Sequence, residues 1–294
     1  MTDARTLTLA LGGKWFRSYG VAPCPICQPE KRRGQNALTL STGSDGRLLA
    51  HCKKAGCDFR DLAAALGLRS GDFAKPDMSE LRARARVSVA EAEKRAWQAE
   101  TIWREAQPIG GTMAETYLRA RGITCGLPDT LRFYPHCWHG ATAQRLPAMV
   151  ALVEGCDRRA VHRTYLRPDG LAKAAVEPAK AMLGATAGGA VTLQDGPGRL
   201  VVAEGIETAL SLASGLLGQP MRLVAALSTS GMTALRLPAC PSRLTIASDG
   251  DEAGRMAAQA LAERAFALGW HVSLLPAPDG KDWNDVLTLK GRAA

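Results

Sequence analysis

The pattern of apolar and polar positions changes character along the chain. From residue 199 onward, short apolar runs alternate with longer amphipathic ones. RLVVAEG (199–205) reads as a buried strand, and RLVAALS (222–228), RLTIASD (243–249) and HVSLLPA (271–277) read as further strands. IETALSLASGLLG (206–218), GMTALRL (231–237), DEAGRMAAQALAERAFALG (251–269) and DWNDVLTLK (282–290) read as helices between and after them. Apolar strands alternating with helices predict a parallel sheet covered on both faces. Upstream, TMAETYLRARGI (112–123) predicts a helix stopped by Gly122, and LPAMVALVE (146–154) and AVHRTYLRPDG (160–170) predict a hairpin. Ser88 and Glu91 have capping-box spacing. After them Val89, Ala92, Ala96, Ala99, Trp103 and Ala106 form one helical stripe that Pro108 terminates. Nearer the start, ALTLS (37–41) and RLLAH (47–51) are strand-like, DFRDLAAALGL (58–68) is a short helix ending at Gly67, and residues 70–87 have linker character.

This reading divides the chain into residues 1–75, a linker and helix over 76–107, an α+β segment over 108–197, and an α/β domain over 198–294. Composition fits a globular chain: 46% of residues are hydrophobic and 22% charged. No apolar run is long enough to span a bilayer. The N-terminus has a short apolar patch behind Asp3 and lacks the basic start and cleavage site of a leader. A cytoplasmic location is expected, where eight cysteines do not imply disulfides. The net charge of +9 sits toward the front: residues 1–75 carry 12 Lys/Arg against 6 Asp/Glu, whereas residues 196–294 carry 9 of each. Such a front suits a polyanion.

The cysteines sharpen that picture. Cys24 and Cys27 form C-x2-C, 24 residues follow, and Cys52 and Cys57 form C-x4-C. Close pairs joined by a hairpin's length of chain match tetrahedral zinc. Cys24, Cys27, Cys52 and Cys57 are the candidate ligands. His51 is the rival to Cys52, although adjacent strand residues point to opposite faces. Four protein ligands leave no position for water, so the expected role is structural. Lys31, Arg32 and Arg33 follow the first pair, and Lys53 and Lys54 lie inside the second. A module held rigid with these cations is a candidate nucleic-acid reader. His136, Cys137 and His139 lack a partner pair at ligand spacing and read as loop or core residues.

Chemistry concentrates in the last third. Glu204 ends the first predicted strand there, and Asp249 and Asp251 end a later one with Gly250 between them. Ligands of open α/β sheets bind at that edge. Asp-x-Asp supplies oxygens to a hard cation such as Mg²⁺. Asp282 opens the last helix, with Asp285 one turn on. Carboxylates converging on one edge suit metal-dependent phosphoryl chemistry, with Glu204 placed to take a proton from an attacking hydroxyl.

An acidic-glycine pair after an apolar strand, D-x-D after a second and a following P-x-G-x-D resemble a Toprim domain over about residues 198–290. CPIC…HCKKAGC is similar to the zinc-binding domain of phage and plasmid primases, many of which carry His where this chain has Cys27. The stretch between is similar to the segment that precedes Toprim in those enzymes. The order of parts resembles a bacterial or phage-type DNA primase. That resemblance implies a zinc-ribbon-like domain, an α+β segment belonging to the polymerase core, and a Toprim domain. It implies primer synthesis on single-stranded DNA from ribonucleoside triphosphates, with structural Zn²⁺ and catalytic Mg²⁺ or Mn²⁺. Asp249 and Asp251 would bind metal, with Glu204 and Asp282 completing the catalytic group. Arg163, Lys173 and Lys180 are expected to contact template or nucleotide phosphates, alongside Lys53 and Lys54. No G-x-x-x-x-G-K-[ST] occurs, so a separate helicase is implied. The rivals are a Toprim nuclease and a non-catalytic zinc-ribbon DNA-binding protein; a topoisomerase would need a nucleophilic Tyr in a further domain.

Overall fold

In the computed structural model, residues 3–32, 34–43, 47–68, 78–218 and 221–293 are described. Arg33 and residues 70–77 of the predicted linker lie outside them. The chain separates into one unit over residues 1–90 and a second over 91–294.

The first unit is built on α1 (Ala4–Ala10), β1 (Lys14–Trp15), β2 (Tyr19–Ala22), β3 (Leu38–Thr42), β4 (Leu48–Cys52) and α2 (Phe59–Ala65). The four strands form one antiparallel sheet in the order β1-β2-β3-β4. The N-terminal apolar patch is α1, an element that its sequence pattern did not predict. Asp3 caps it by accepting the Thr6 N–H at 2.6 Å. Alternation puts Leu38, Leu40 and Leu48 into a core with Leu7, Leu11 and Leu62.

The helix α3 (Met78–Glu105) begins ten residues before the Ser88 box. Residues 78–87 contain strong helix formers and neither Gly nor Pro, so propensity carries the helix back through them. Ser88 is therefore an exposed mid-helix residue. The predicted stripe holds from Ala92 downward, with Ala99 fully buried, while Val89 is exposed.

After α3 come β5 (Gln107–Pro108), α4 (Met113–Ala120), β6 (Leu131–His139), β7 (Gln144–Val153), β8 (Ala160–Tyr165) and β9 (Lys180–Leu183). The strands form an antiparallel sheet in sequence order. Ala99, Ile102 and Trp103 of α3 pack on one face, against Val150 and Val161. The other face carries Met149, Ala151 and Ala160 into the main core. Strand β6 is hidden in the sequence because Pro135 and His136 fall where its register with β7 shifts, which breaks the alternation.

The last elements are β10 (Val191–Gln194), β11 (Arg199–Ala203), α5 (Ile206–Ser211), β12 (Met221–Ala225), α6 (Thr229–Ala234), β13 (Arg243–Ala247), α7 (Glu252–Ala267), β14 (His271–Leu274) and α8 (Trp283–Ala293). Their sheet has the order β10-β12-β11-β13-β14; β10 is antiparallel to β12 and all other pairs are parallel. Strand β10 joins it from upstream of residue 198. Alternation splits β11 between two cores. Val201 and Ala203 pack with Leu210 of α5 and Leu287 of α8, while Leu200 and Val202 pack with Met232 of α6 and Leu261 of α7. The sheet is therefore covered on both faces. The predicted helix over 206–218 stops early: α5 gives way to one wide turn, Leu212–Leu216, and Gly215 takes φ +106°. Among the described residues no helix is long and apolar enough to cross a membrane.

Candidate functional site

In the first unit, Cys24 and Cys27 lie in the turn after β2, Cys52 ends β4 and Cys57 follows it. Their four sulfurs lie within 4.8 Å of one another. Cys24 and Cys57 sulfurs stand 3.9 Å apart, and those of Cys27 and Cys52 3.5 Å. Sulfurs bound tetrahedrally at about 2.3 Å stand about 3.8 Å apart, so the cluster fits zinc as it stands. Backbone turns shape it: Gln28 N–H donates to Cys24 O and Gly56 N–H to Cys52 O. The glycine before Cys57 has φ +59°, a conformation that side chains resist. The buried Gln28 side chain accepts from the Cys24 and Ala37 N–H groups and braces the first pair. His51 is exposed, whereas Cys52 is buried in the cluster. Lys53 and Lys54 are exposed in the second turn.

In the second unit, Glu204 directly follows β11 and Asp249 follows β13 by two residues, at the carboxyl edge of the parallel sheet. Burial, then the charges of Asp249 and Asp251, push the Glu204 carboxyl up to about 7. Burial and the nearby Asp282 charge also raise Asp249, against a Thr208 hydroxyl that donates to it at 3.3 Å. Asp251 is exposed and caps α7, accepting the Gly254 N–H at 2.7 Å. Asp282 and Asp285 cap the start of α8 reciprocally. Gly250 brings these groups together through close approach. A Cβ there would lie 1.9 Å from Pro278 O. Its N–H donates to Lys281 O, and its carbonyl accepts from Gly280 N–H. Among the described residues only the four cysteines are gathered tightly enough to count as a formed metal group. The acidic edge is instead an open array of hard oxygen donors whose mutual repulsion a cation would relieve. Such an array suits Mg²⁺, which keeps several of its waters.

Two of the three predicted basic residues reach this edge. Lys180 Nζ lies 3.0 Å and Lys173 Nζ 3.4 Å from the carboxylate of Glu207, in the first turn of α5. The Lys180 charge is felt at both Glu204 and Asp249. Arg163 does not join them. On β8 it alternates with Thr164, the register partner of Lys180, so it faces the other side of the sheet. There its guanidinium donates to the carbonyls of Trp138 and Met182.

Glu207 was not singled out from the sequence, although E-G-x-E after an apolar strand was visible. Burial alone would raise its carboxyl; the ammonium groups of Lys180 and Lys173 and the Tyr117 hydroxyl outweigh it and hold it well below the usual range. Asn284 was likewise missed. It is buried, accepts from Arg121, and donates to Arg121 O and Ser211 Oγ, tying α8 to α4 and α5. In the His136–Cys137–His139 group, His139 is satisfied by Thr142 and Pro178 O, and Cys137 is buried with its thiol pushed up by that burial.

Comparison with known proteins gives this geometry a setting. Residues 199–293 match the Toprim domain family, and residues 93–193 match a domain of unknown function, DUF7146. The C-terminal sheet with its acidic edge is therefore a Toprim domain. No curated protein matches the chain. Among solved structures, a DNA primase domain from Pseudomonas aeruginosa is 19% identical, with TM-score 0.43, over 68% of this chain and 77% of that one. The zinc-binding and RNA polymerase domains of Aquifex aeolicus primase are 13% identical, with TM-score 0.40, over 100% and 84%. The primase fragment of the bacteriophage T7 primase-helicase protein is 15% identical, with TM-score 0.34, over 93% and 95%.

Proposed function

We propose that this chain is a DNA primase, which joins ribonucleoside triphosphates into short primers on single-stranded DNA. The observation that carries the reading is the Toprim edge, where Glu204, Asp249, Asp251 and Asp282 converge beside the Lys180 ammonium. A zinc-type module precedes that edge in the chain, as in the primases that the sequence resembles.

In this reading Asp249 and Asp251 hold Mg²⁺ or Mn²⁺, with Asp282 completing the acidic set. The cations, when bound, orient and neutralise the reacting phosphate oxygens. Glu204 accepts the proton of the attacking 3′-hydroxyl. A carboxyl raised to about 7 is suited to that task near neutral pH. Lys180 and Lys173 meet the nucleotide phosphates. Arg163, engaged with two backbone carbonyls, braces the sheet that carries them.

The zinc module, residues 1–75, engages the template through Lys53 and Lys54. Phe16 and Tyr19 support a single-stranded template, because they are exposed and stacked 5.3 Å apart, a face on which bases can continue the stack. Residues 108–197 and 198–294 together form the polymerase core. A separate helicase supplies unwound DNA, and the reaction is cytoplasmic.

The test is incubation of the chain with single-stranded DNA, labelled ribonucleotides and Mg²⁺, read on a product gel. Labelled oligomers are expected. Asp249→Asn should abolish them while DNA binding persists. Shortened DNA without labelled oligomers would make the chain a Toprim nuclease instead.

A further inference from the structure

We infer that Glu207 is a positioning residue, the buried anchor that holds Lys180 and Lys173 as cations beside the acidic edge for the phosphates of an incoming nucleoside triphosphate. This rests on the primase reading for its substrate.

The asymmetry of exposure carries the argument. The Glu207 side chain is 6% exposed, while those of Lys173 and Lys180 are 29% and 36% exposed. The acid is inside and the two lysines beside it are half-buried. Glu207 does occupy the first turn of α5, where a carboxylate is favoured, but that advantage requires no burial. Burying a carboxylate is costly unless it is paired, and an apolar residue of similar volume serves packing at least as well. The charge is needed if two lysines must stand together. Their ammonium groups repel each other, and one carboxylate shared between them leaves one positive charge in excess. Tyr117, fully buried on α4, donates to Glu207 Oε1 at 2.7 Å and fixes the carboxylate's orientation. The excess charge is directed at the reaction edge, since Lys180 acts on both Glu204 and Asp249.

The test uses the full chain. With ¹⁵N-labelled lysine, the wild type should give two slowly exchanging Nζ signals, assigned with Lys173→Arg and Lys180→Arg. Glu207→Gln, which keeps the shape, should lose both. Binding of ATP with Mg²⁺, measured by equilibrium dialysis, should weaken on the order of 10-fold, as expected for one charged interaction. In primer synthesis the loss should appear in KM for the nucleotide more than in kcat. Tyr117→Phe removes only the orienting hydroxyl and spares the packing, so it guards against misfolding of Glu207→Gln. It should weaken ATP binding less than Glu207→Gln does, by about 5-fold, because the carboxylate charge that pairs the lysines remains. Glu207→Asp should recover part of the binding. Wild-type Nζ signals in Glu207→Gln, or wild-type ATP affinity in folded Glu207→Gln and Tyr117→Phe, would overturn the proposal. Neither the NMR nor the dialysis depends on synthesis. A chain that makes no primer, yet shows both losses, sinks the primase reading and keeps Glu207 in its role.

Discussion

At the scale of single residues, the electrostatics of Glu204 dominate. Its carboxyl is raised in the folded chain to about 7 from the ordinary 4.5 by burial and by Asp249 and Asp251. Between those values the folded state binds more protons than the unfolded one, so this group makes stability fall as pH rises from 4.5 to 7. The penalty is fully present above 7 and absent below 4.5. Glu204→Gln removes it. Without added divalent cation, the variant should melt above the wild type at pH 8, and the two should converge as the pH is lowered toward 4.5. Mg²⁺ at pH 8 should narrow the gap by stabilising the wild type more. Equal melting temperatures at pH 8 in the absence of Mg²⁺ would mean that burial and the acidic neighbours do not raise Glu204.

At the scale of elements, α3 separates local signal from what a helix requires. Ser88 and Glu91 have the spacing of a start, yet the helix begins at Met78. A residue in mid-helix has its N–H bonded to the preceding turn, so the Ser88 hydroxyl has no orphan donor to satisfy. Ser88→Ala should therefore be neutral or stabilising by up to about 0.5 kcal/mol, the helix-propensity difference. Loss of a true N-cap would instead cost ~1 kcal/mol. Chemical denaturation distinguishes the two, and a loss of the larger size would return the helix start to Ser88. Elsewhere the period of the pattern identified elements well. Strands β11, β12 and β13 are largely buried apolar runs and α7 is amphipathic, whereas α5 is buried throughout and β14 is largely exposed. Strands β1, β2, β5, β9 and β10 have four residues or fewer and were not read, and a register shift at Pro135 interrupts β6.

At the scale of the molecule, charge and metal sites divide the labour. The positive excess lies early in the chain, and the acidic array lies late. Exposed Lys53 and Lys54 sit in the turn between Cys52 and Cys57 of the four-cysteine cluster. If they bind template phosphates, replacing both with Ala should weaken single-stranded DNA binding at low salt. The slope of log affinity against log salt should flatten by about 0.7 for each phosphate that is no longer neutralised. An unchanged slope in fluorescence anisotropy would remove these lysines from the template surface. Primer synthesis per bound template should stay near normal, because neither lysine belongs to the acidic edge.

Features that depend on residues close along the chain were legible in the sequence. Two cysteine pairs at knuckle spacing specified a metal cluster, and Glu204 and Asp249 each follow an apolar strand that must end at one sheet edge. Gly250 stands between the two aspartates in the sequence, but what requires a glycine there is the close approach of Pro278 O, a tertiary fact, since its φ lies outside the left-handed region. Which charges meet depends on packing between distant segments. Glu207 finds Lys180 27 residues away and Tyr117 90 residues away, across two sheets that share one core. Hydrophobic period reports which face of an element is buried, but it carries no record of the partner on the other side. For the same reason the alternation along β8 turned Arg163 away from the edge while Lys180, opposite Thr164, was turned toward it. A side chain's face follows from strand register, and register is set by pairing between strands rather than by the residues of one strand alone.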